Sequence, residues 1–135
     1  MRRHRTLVIV EDDSLMAEAL TGFAEELGYG VLTTADTEEG AVKAVRDFKP
    51  DVVLMDVRLR DGNGLGAANT VRQSSRVPIV FCTSYAGNEA VECAVQALGN
   101  ATLIGKPFDE SELANLLNKA VNDTQGKVIA PPSAR

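Results

Sequence analysis

Short, mostly apolar runs recur along the chain and alternate with segments of helical periodicity. The runs are LVIV (7–10), VLTT (31–34), VVLM (52–55), PIVFC (78–82) and ATLIG (101–105). Their length and composition predict five strands. The third run is apolar on both faces, which is typical of a central parallel strand covered by helices on both sides.

Between the runs, apolar residues recur every three or four positions, which predicts amphipathic helices. The first helix ends at Gly28, and Asp36 is the expected cap of the second. A weakly patterned third helix follows the turn segment DGNG (61–64), a fourth precedes the last strand, and Asp109 caps the fifth. Strict alternation of strands and helices predicts an α/β fold with a doubly wound parallel sheet.

The helical periodicity is lost from Asn122 onward, where the sequence gains Pro and Ser. This composition is typical of a disordered tail. A chain of 135 residues suits one core. We therefore expect one domain over residues 1–121 without an output domain, followed by a disordered C-terminal tail over 122–135. A fragment of a longer protein would show the same pattern.

Composition narrows the expected partners. The net charge is −5, which argues against a nucleic-acid-binding surface because phosphate backbones attract basic faces. No stretch approaches the roughly 20 apolar residues that span a membrane. Cys82 and Cys93 lie in apolar patterns without the spacing of metal ligands. They are expected to be reduced core residues of a cytoplasmic protein that contacts neither nucleic acid nor membrane.

Polar groups directly follow four of the five predicted strands. They are Glu11, Asp12 and Asp13 after the first, Asp56 after the third, Thr83 and Ser84 after the fourth, and Lys106 and Pro107 after the fifth. Ligands of doubly wound sheets bind beyond the carboxyl ends of the strands. The sequence therefore predicts that these groups converge at one edge of the sheet.

The acids at this edge have the chemistry of a magnesium site. Asp12 and Asp13 are expected to face Asp56, and like charges at close range repel unless a cation lies among them. Carboxylate and water oxygens are the ligands that Mg²⁺ prefers, with positions left for phosphate oxygens. The alternative role for one of the adjacent acids is to cap the first helix.

The remaining groups suit phosphoryl transfer. The carboxylate of Asp56 can attack a phosphoryl group and form an acyl phosphate. The hydroxyl of Thr83 can donate to one phosphoryl oxygen, and the ammonium of Lys106 can neutralise another. Pro107 restricts the backbone beside Lys106 and can take the cis form.

This set of motifs, in this order and spacing, resembles the receiver domain of two-component response regulators from about Thr6 to Val121. The resemblance implies a flavodoxin-like (βα)5 fold with strand order 2-1-3-4-5. It implies that a histidine kinase or a phosphotransfer protein donates a phosphoryl group to Asp56 in the presence of Mg²⁺. The phosphoprotein then switches the binding of an unidentified downstream partner or serves as a phosphate sink. Such a domain catalyses only its own phosphorylation and slow dephosphorylation.

The resemblance also assigns roles to the motif residues. The metal ligands are Asp12 or Asp13, Asp56 and the carbonyl of Val57, while Thr83 is the switch hydroxyl and Lys106 binds the phosphoryl group. One position departs from the family, because Leu103 stands where a Tyr or Phe usually moves inward on activation.

The segment FCTSY (81–85) resembles the Phe-Ala-Thr-Gly-Tyr motif of an alphaproteobacterial subgroup of single-domain regulators, with Cys82 for Ala and Ser84 for Gly. That subgroup also lacks the strand-five aromatic and is associated with histidine kinases of the His-Trp-Glu type and with stress signalling. Tyr85 is therefore the candidate switch aromatic, and the alternative is an ordinary loop aromatic. Arg58, two residues after Asp56, is expected to flank the opening of the phosphorylation site, where it could slow water attack on the acyl phosphate. Arg58 and Tyr85 are therefore candidates for tuning dephosphorylation.

A haloacid-dehalogenase-like phosphatase is the alternative function, because it uses similar groups around Mg²⁺. That family places its nucleophile after the first strand in an Asp-x-Asp motif. Here the first strand carries the acidic pair, and Asp56 is followed by Val57 and Arg58. The chain also has no room for the cap or insertions of that family, so the receiver interpretation is favoured.

Overall fold

The computed structural model describes residues 5–129, with side chains through residue 122. The strands are β1 (Thr6–Val10), β2 (Gly30–Ala35), β3 (Val52–Met55), β4 (Ile79–Thr83) and β5 (Ala101–Gly105). The helices are α1 (Ser14–Glu26), α2 (Glu38–Phe48), α3 (Gly64–Arg72), α4 (Glu89–Leu98) and α5 (Glu110–Ile129). All strand pairs are parallel, and their order is β2-β1-β3-β4-β5. The predicted fold class and strand order are confirmed.

The sheet separates two hydrophobic clusters. Helices α2, α3 and α4 pack on one face, and α1 and α5 pack on the other. Successive side chains of β1 point to opposite faces of the sheet. Val8 and Val10 therefore belong to the cluster under α2, α3 and α4, and Leu7 and Ile9 belong to the cluster under α1 and α5. Strand β3 is buried on both faces, as predicted. Each fully buried aliphatic side chain contributes about 1.5–3 kcal/mol, so the core holds the strand ends in fixed register.

The cap of α2 is one residue later than predicted. Thr37 is the N-cap, and its hydroxyl accepts a hydrogen bond from the Gly40 N–H at 3.0 Å. Asp36 instead forms a salt bridge with Arg60, with an N–O distance of 2.8 Å. Asp and Thr are both favourable caps, so composition alone does not distinguish two neighbouring candidates.

Helix α5 continues through residues 122–129 of the predicted tail. Intrahelical hydrogen bonds do not require apolar periodicity, and no proline follows until Pro131. Residues 130–135 lie outside the described part of the chain, and the division into a domain and a tail stays a prediction. Neither α5 nor any other helix within residues 5–129 has the length and apolarity needed to cross a membrane.

The two cysteines lie in different environments. Cys82 is buried in β4, and burial raises the pKa of its thiol to about 12. Cys93 is exposed on α4, so the prediction that both are core residues is wrong for Cys93. The buried thiol is protonated and inert at neutral pH, whereas Cys93 offers an accessible position for labelling α4.

Candidate functional site

The carboxyl ends of four neighbouring strands bring the predicted groups to one edge of the sheet. Val10 of β1 pairs with Met55 of β3, and Met55 pairs with Phe81 of β4. Thr83 at the end of β4 pairs with Gly105 of β5. The residues that follow these strand ends therefore lie beside one another, at the point where the chain order reverses around β1.

Three carboxylates form a cluster at this edge. One oxygen from each of Glu11, Asp12 and Asp56 lies within 4.8 Å of the other two. Glu11 is buried, Asp12 is exposed, and Asp56 is intermediate. Three carboxylates at this distance repel one another, and oxygen donors of this kind fit a hard divalent cation such as Mg²⁺. The donor set therefore fits the predicted metal.

Asp13 lies outside this cluster and caps α1. Its carboxylate accepts hydrogen bonds from the N–H groups of Leu15 at 3.0 Å and Met16 at 3.2 Å. Its own N–H donates to Glu11 Oε2 at 3.2 Å. Of the two acids predicted to face Asp56, the structure places Asp12 in the cluster and gives Asp13 the alternative role of helix cap.

Glu11 is the acid that the sequence-based metal assignment missed. Its N–H donates to Ala35 O at 2.9 Å, so the backbone still follows the sheet at this residue. Its side chain consequently stays at the strand end, whereas the chain has turned into the helix start by Asp13. The available signal was that Asp13 directly precedes the helical periodicity, which is the position of an N-cap.

Lys106 lies between two of the clustered acids. Its ammonium donates to Glu11 Oε1 at 3.0 Å and to Asp56 Oδ2 at 2.9 Å. Burial lowers the pKa of Lys106, but the hydrogen bonds to Asp56 and Glu11 outweigh burial and raise it. Burial also raises the pKa of Glu11, against the opposing effect of Lys106. The Lys106–Pro107 peptide is cis, the form that the sequence allowed.

Thr83 is fully buried at the end of β4. Its hydroxyl accepts a hydrogen bond from the Tyr85 N–H at 3.2 Å, so its own proton is available to a further acceptor. Its carbonyl accepts from the Lys106 N–H at 2.9 Å. This bond links the two strand ends that carry the predicted switch hydroxyl and the ammonium.

The loop after β3 folds tightly around Asp56. The Arg58 N–H donates to Asp56 Oδ1 at 3.2 Å, and the Gly64 N–H donates to the Val57 carbonyl at 2.6 Å. These two bonds fix the main chain of the loop directly beside the Asp56 carboxylate, and the role of the Val57 carbonyl as a metal ligand stays a prediction.

Arg58 and Tyr85 are in direct contact. Arg58 Nη1 donates a short hydrogen bond to the Tyr85 hydroxyl, and the guanidinium carbon lies 5.5 Å from the centroid of the tyrosine ring. The pair joins the loop after Asp56 to the loop after Thr83, a link that the sequence did not predict.

A crevice of about 380 Å³ lies between α4 and β5. Its lining residues are Ala86, Glu92, Val95, Gln96 and Leu103. Leu103 is the residue that replaces the aromatic of the resembled family, so this crevice lies next to the departure from that pattern.

Residues 7–118 match the family described as "Response regulator receiver domain". The chain is 33% identical over 118 residues to the transcriptional regulatory protein PdtaR of Mycobacterium tuberculosis, covering 87% of this chain and 57% of that protein. It is 32% identical over 117 residues to the phyllosphere-induced regulator PhyR of Methylorubrum extorquens, covering 85% of this chain and 43% of that protein. The chain thus spans about half the length of these curated relatives.

The fold of this chain is similar to that of a solved receiver-domain structure. The receiver domain of a sensor histidine kinase from Pseudomonas aeruginosa aligns with a TM-score of 0.79 and 28% identity, covering 89% of this chain and 99% of that one. That receiver domain holds a magnesium ion in its active-site cleft.

Proposed function

Because this chain belongs to the response regulator receiver family, we propose that it accepts a phosphoryl group on Asp56 from a histidine kinase or a phosphotransfer protein. The observation that carries the proposal is the position of Lys106, whose ammonium bonds both Glu11 and Asp56 beside a cluster of three carboxylates. The phosphorylated domain then switches binding of a downstream protein or drains phosphate from the kinase.

The transfer converts a carboxylate into an acyl phosphate. An oxygen of Asp56 attacks phosphorus, and the bond from phosphorus to the donor's histidine nitrogen breaks as the new P–O bond forms. Lys106 can then follow the transferred group, since its ammonium already contacts the attacking carboxylate. The buried hydroxyl of Thr83 supplies a donor to a further phosphoryl oxygen.

Glu11, Asp12, Asp56 and the Val57 carbonyl are the residues that would hold Mg²⁺. When bound, the ion supplies charge neutralisation for the phosphoryl oxygens and the crowded acids. Support comes from the cluster geometry and from the magnesium ion in the related Pseudomonas receiver domain. Asp13 is excluded from this set because its carboxylate bonds the first turn of α1.

The proposed donor is a histidine kinase of the His-Trp-Glu type. The similarity to PhyR supports a relationship to alphaproteobacterial regulators, and the FCTSY segment (81–85) supports membership in the single-domain subgroup with the Phe-Ala-Thr-Gly-Tyr motif. A protein donor must approach Asp56 from the open edge of the sheet. Leu15, in the first turn of α1, has 76% of its surface exposed, so it offers apolar contact area to such a donor.

We expect Leu15→Ala to slow phosphotransfer from a His-Trp-Glu-type kinase by about tenfold, since burial of a leucine side chain contributes about 1.5–3 kcal/mol. Reaction with a small phosphodonor should be unchanged. Leu27→Ala is the matched control, because Leu27 is also partly exposed but lies at the C-cap of α1, about 18 Å from Leu15 along the helix axis. Equal slowing in both variants, or slowing with the small donor, would argue against docking at Leu15.

Tyr85 is the proposed switch aromatic. It takes the role of the Tyr or Phe that the family usually has at the position of Leu103. Tyr85 is 37% exposed, and its hydroxyl accepts a hydrogen bond from Arg58. The backbone N–H of Arg58 donates to the acceptor carboxylate itself. A phosphoryl group on Asp56 changes the hydrogen-bond partners of Arg58 and Thr83. Because both residues contact Tyr85, the loop that carries Tyr85 can then adopt a second arrangement. The crevice beside Leu103 offers a place for the ring. In the present arrangement the Arg58–Tyr85 pair flanks the opening, so its rearrangement on phosphorylation changes how readily water reaches the acyl phosphate.

We expect Tyr85→Ala to remove the amide shift changes that beryllium fluoride, a phosphoryl mimic, induces in residues 84–98. Tyr85→Phe, which loses only the hydroxyl bonded by Arg58, should retain most of them. A fluorine label on the exposed Cys93 of α4 gives a second readout. Mimic-induced changes that persist unaltered in Tyr85→Ala would show that the ring only covers the site.

A further inference from the structure

We propose that Glu38, at the start of α2, is a positioning residue that holds the Asp56–Val57 peptide in place for metal binding and phosphoryl transfer. The proposal rests on the proposed function, because it concerns the same site. Glu38 touches no reacting group. It acts through the start of α3: Glu38 contacts Asn63, Asn63 precedes Gly64, and Gly64 contacts the Asp56–Val57 peptide.

The start of α3 packs directly on the main chain of the phosphoacceptor. The Gly64 N–H donates to the Val57 carbonyl at 2.6 Å. A Cβ atom at Gly64 would lie 2.1 Å from the Asp56 carbonyl oxygen, so only glycine permits this approach. A shift of the first residue of α3 therefore displaces the main chain that carries the Asp56 carboxylate.

The Glu38 side chain holds the start of α3. Its Oε1 accepts a hydrogen bond from the Asn63 N–H at 3.0 Å. Asn63 is the N-cap of α3, and its side chain accepts from the Gly66 N–H at 2.7 Å. A Cβ atom at Gly62 would lie 2.3 Å from Glu38 Oε1, and one at Gly66 would lie 2.6 Å from Oε2. The carboxylate thus contacts the chain on both sides of the cap.

The main chain at the start of α2 is tied to the same loop. The Glu38 N–H donates to Asp61 O at 2.9 Å, and Thr37 forms an isolated bridge with Asp61. The salt bridge between Asp36 and Arg60 adds little, because both side chains are at least half exposed. Helix α2 is itself anchored in the core, so Glu38 projects from a rigid element onto the loop after Asp56.

The charge of Glu38 suits this position. It lies in the first turn of α2 and against the N-terminal turn of α3, and a negative charge is favourable at the amino end of a helix. The nearby Glu39 shares the charge and the helix turn but is exposed on the surface. Glu39 is therefore a matched control for the contact itself.

The test is titration with Mg²⁺ alone, followed by the amide shifts of residues 56–58, on the wild type and on Glu38→Ala, Glu38→Gln and Glu39→Ala. We expect the Mg²⁺ dissociation constant of Glu38→Ala to rise roughly 2- to 10-fold, the effect of one lost hydrogen bond. Glu38→Gln keeps an acceptor oxygen and should stay within about twofold of the wild type. Glu39→Ala should be unchanged. Thermal melts confirm that each variant is folded at the titration temperature.

If Glu38→Ala does not fold, Glu38→Asp replaces it, because its shorter side chain keeps the charge but withdraws the oxygen from Asn63. Unchanged Mg²⁺ affinity in the variant that loses the contact overturns the positioning role. It leaves the proposed function standing if the wild type binds Mg²⁺ and is phosphorylated. Equal weakening in Glu39→Ala, or a Gln variant as weak as the Ala variant, overturns it too. A wild type that binds no Mg²⁺ overturns both proposals.

Discussion

Asp56→Asn is expected to lose phosphoryl acceptance completely, at any donor concentration. The amide of Asn is uncharged and is not a nucleophile towards phosphorus, whereas its size and shape match those of Asp. Lys106 keeps its bond to Glu11 in this variant, so the site should remain folded. Intact mass after incubation with a small phosphodonor and Mg²⁺ should show the gain of one phosphoryl group in the wild type and no gain in the variant.

The control for this loss is Asp61→Asn, which removes an exposed acid from the same loop. This variant should gain one phosphoryl group like the wild type. Thermal melts should show Asp56→Asn folded under the reaction conditions. Acid-labile phosphate that persists in Asp56→Asn would mean that another residue is the acceptor.

Asp12→Ala is expected to weaken metal binding, whereas Asp13→Ala is expected to lower stability. Asp12→Ala removes one of three clustered carboxylates and should weaken Mg²⁺ binding by at least about tenfold, with a matching loss of phosphorylation at low Mg²⁺. Asp13→Ala should leave Mg²⁺ affinity nearly unchanged. It should lower the free energy of unfolding by about 1 kcal/mol, because it removes the cap of α1.

Thermal melts without Mg²⁺ separate the two variants further. Removing Asp12 relieves repulsion within the cluster, so the metal-free melting temperature of Asp12→Ala should not fall below that of the wild type. That of Asp13→Ala should fall. Strong loss of Mg²⁺ affinity in Asp13→Ala, or phosphorylation of the wild type that proceeds equally well in EDTA, would refute this division of roles.

The convergence of the site could be predicted because it depends only on strand order. Parallel strands end at one edge, so the residues after four neighbouring strands had to meet there. The structure places Asp12, Asp56, Thr83 and Lys106 at that edge. The roles of these residues in phosphoryl transfer remain a proposal that the experiments above test.

The identity of each acid within the triplet 11–13 could not be predicted, because it depends on where the strand stops to within one residue. Periodicity fixes element boundaries only to within a few positions. A single-residue difference decides whether a carboxylate stays at the sheet edge, as Glu11 does, or caps the helix, as Asp13 does. The cap at Thr37 in place of Asp36 has the same origin.

Contacts between distant loops left no trace in the sequence pattern. Arg58 was predicted to flank the opening and Tyr85 to be the switch aromatic, but nothing in the sequence pattern indicated their contact, which spans 27 positions. Glu38 reads as an ordinary acid in a first helical turn, and only the folded chain places it against Asn63. Such pairs are fixed by how the helices pack on the sheet, which local propensity does not encode.

Borohydride trapping of the phosphorylated wild-type protein tests the identity of the acceptor most directly, without any substitution. Borohydride reduces an acyl phosphate to the alcohol, which converts a phosphorylated Asp into homoserine that peptide sequencing by mass spectrometry can locate. We predict homoserine at residue 56 alone, and only after incubation with both the phosphodonor and Mg²⁺. Homoserine at Asp12, Asp13 or another acid, or none in a protein that has gained one phosphoryl group, would contradict this account.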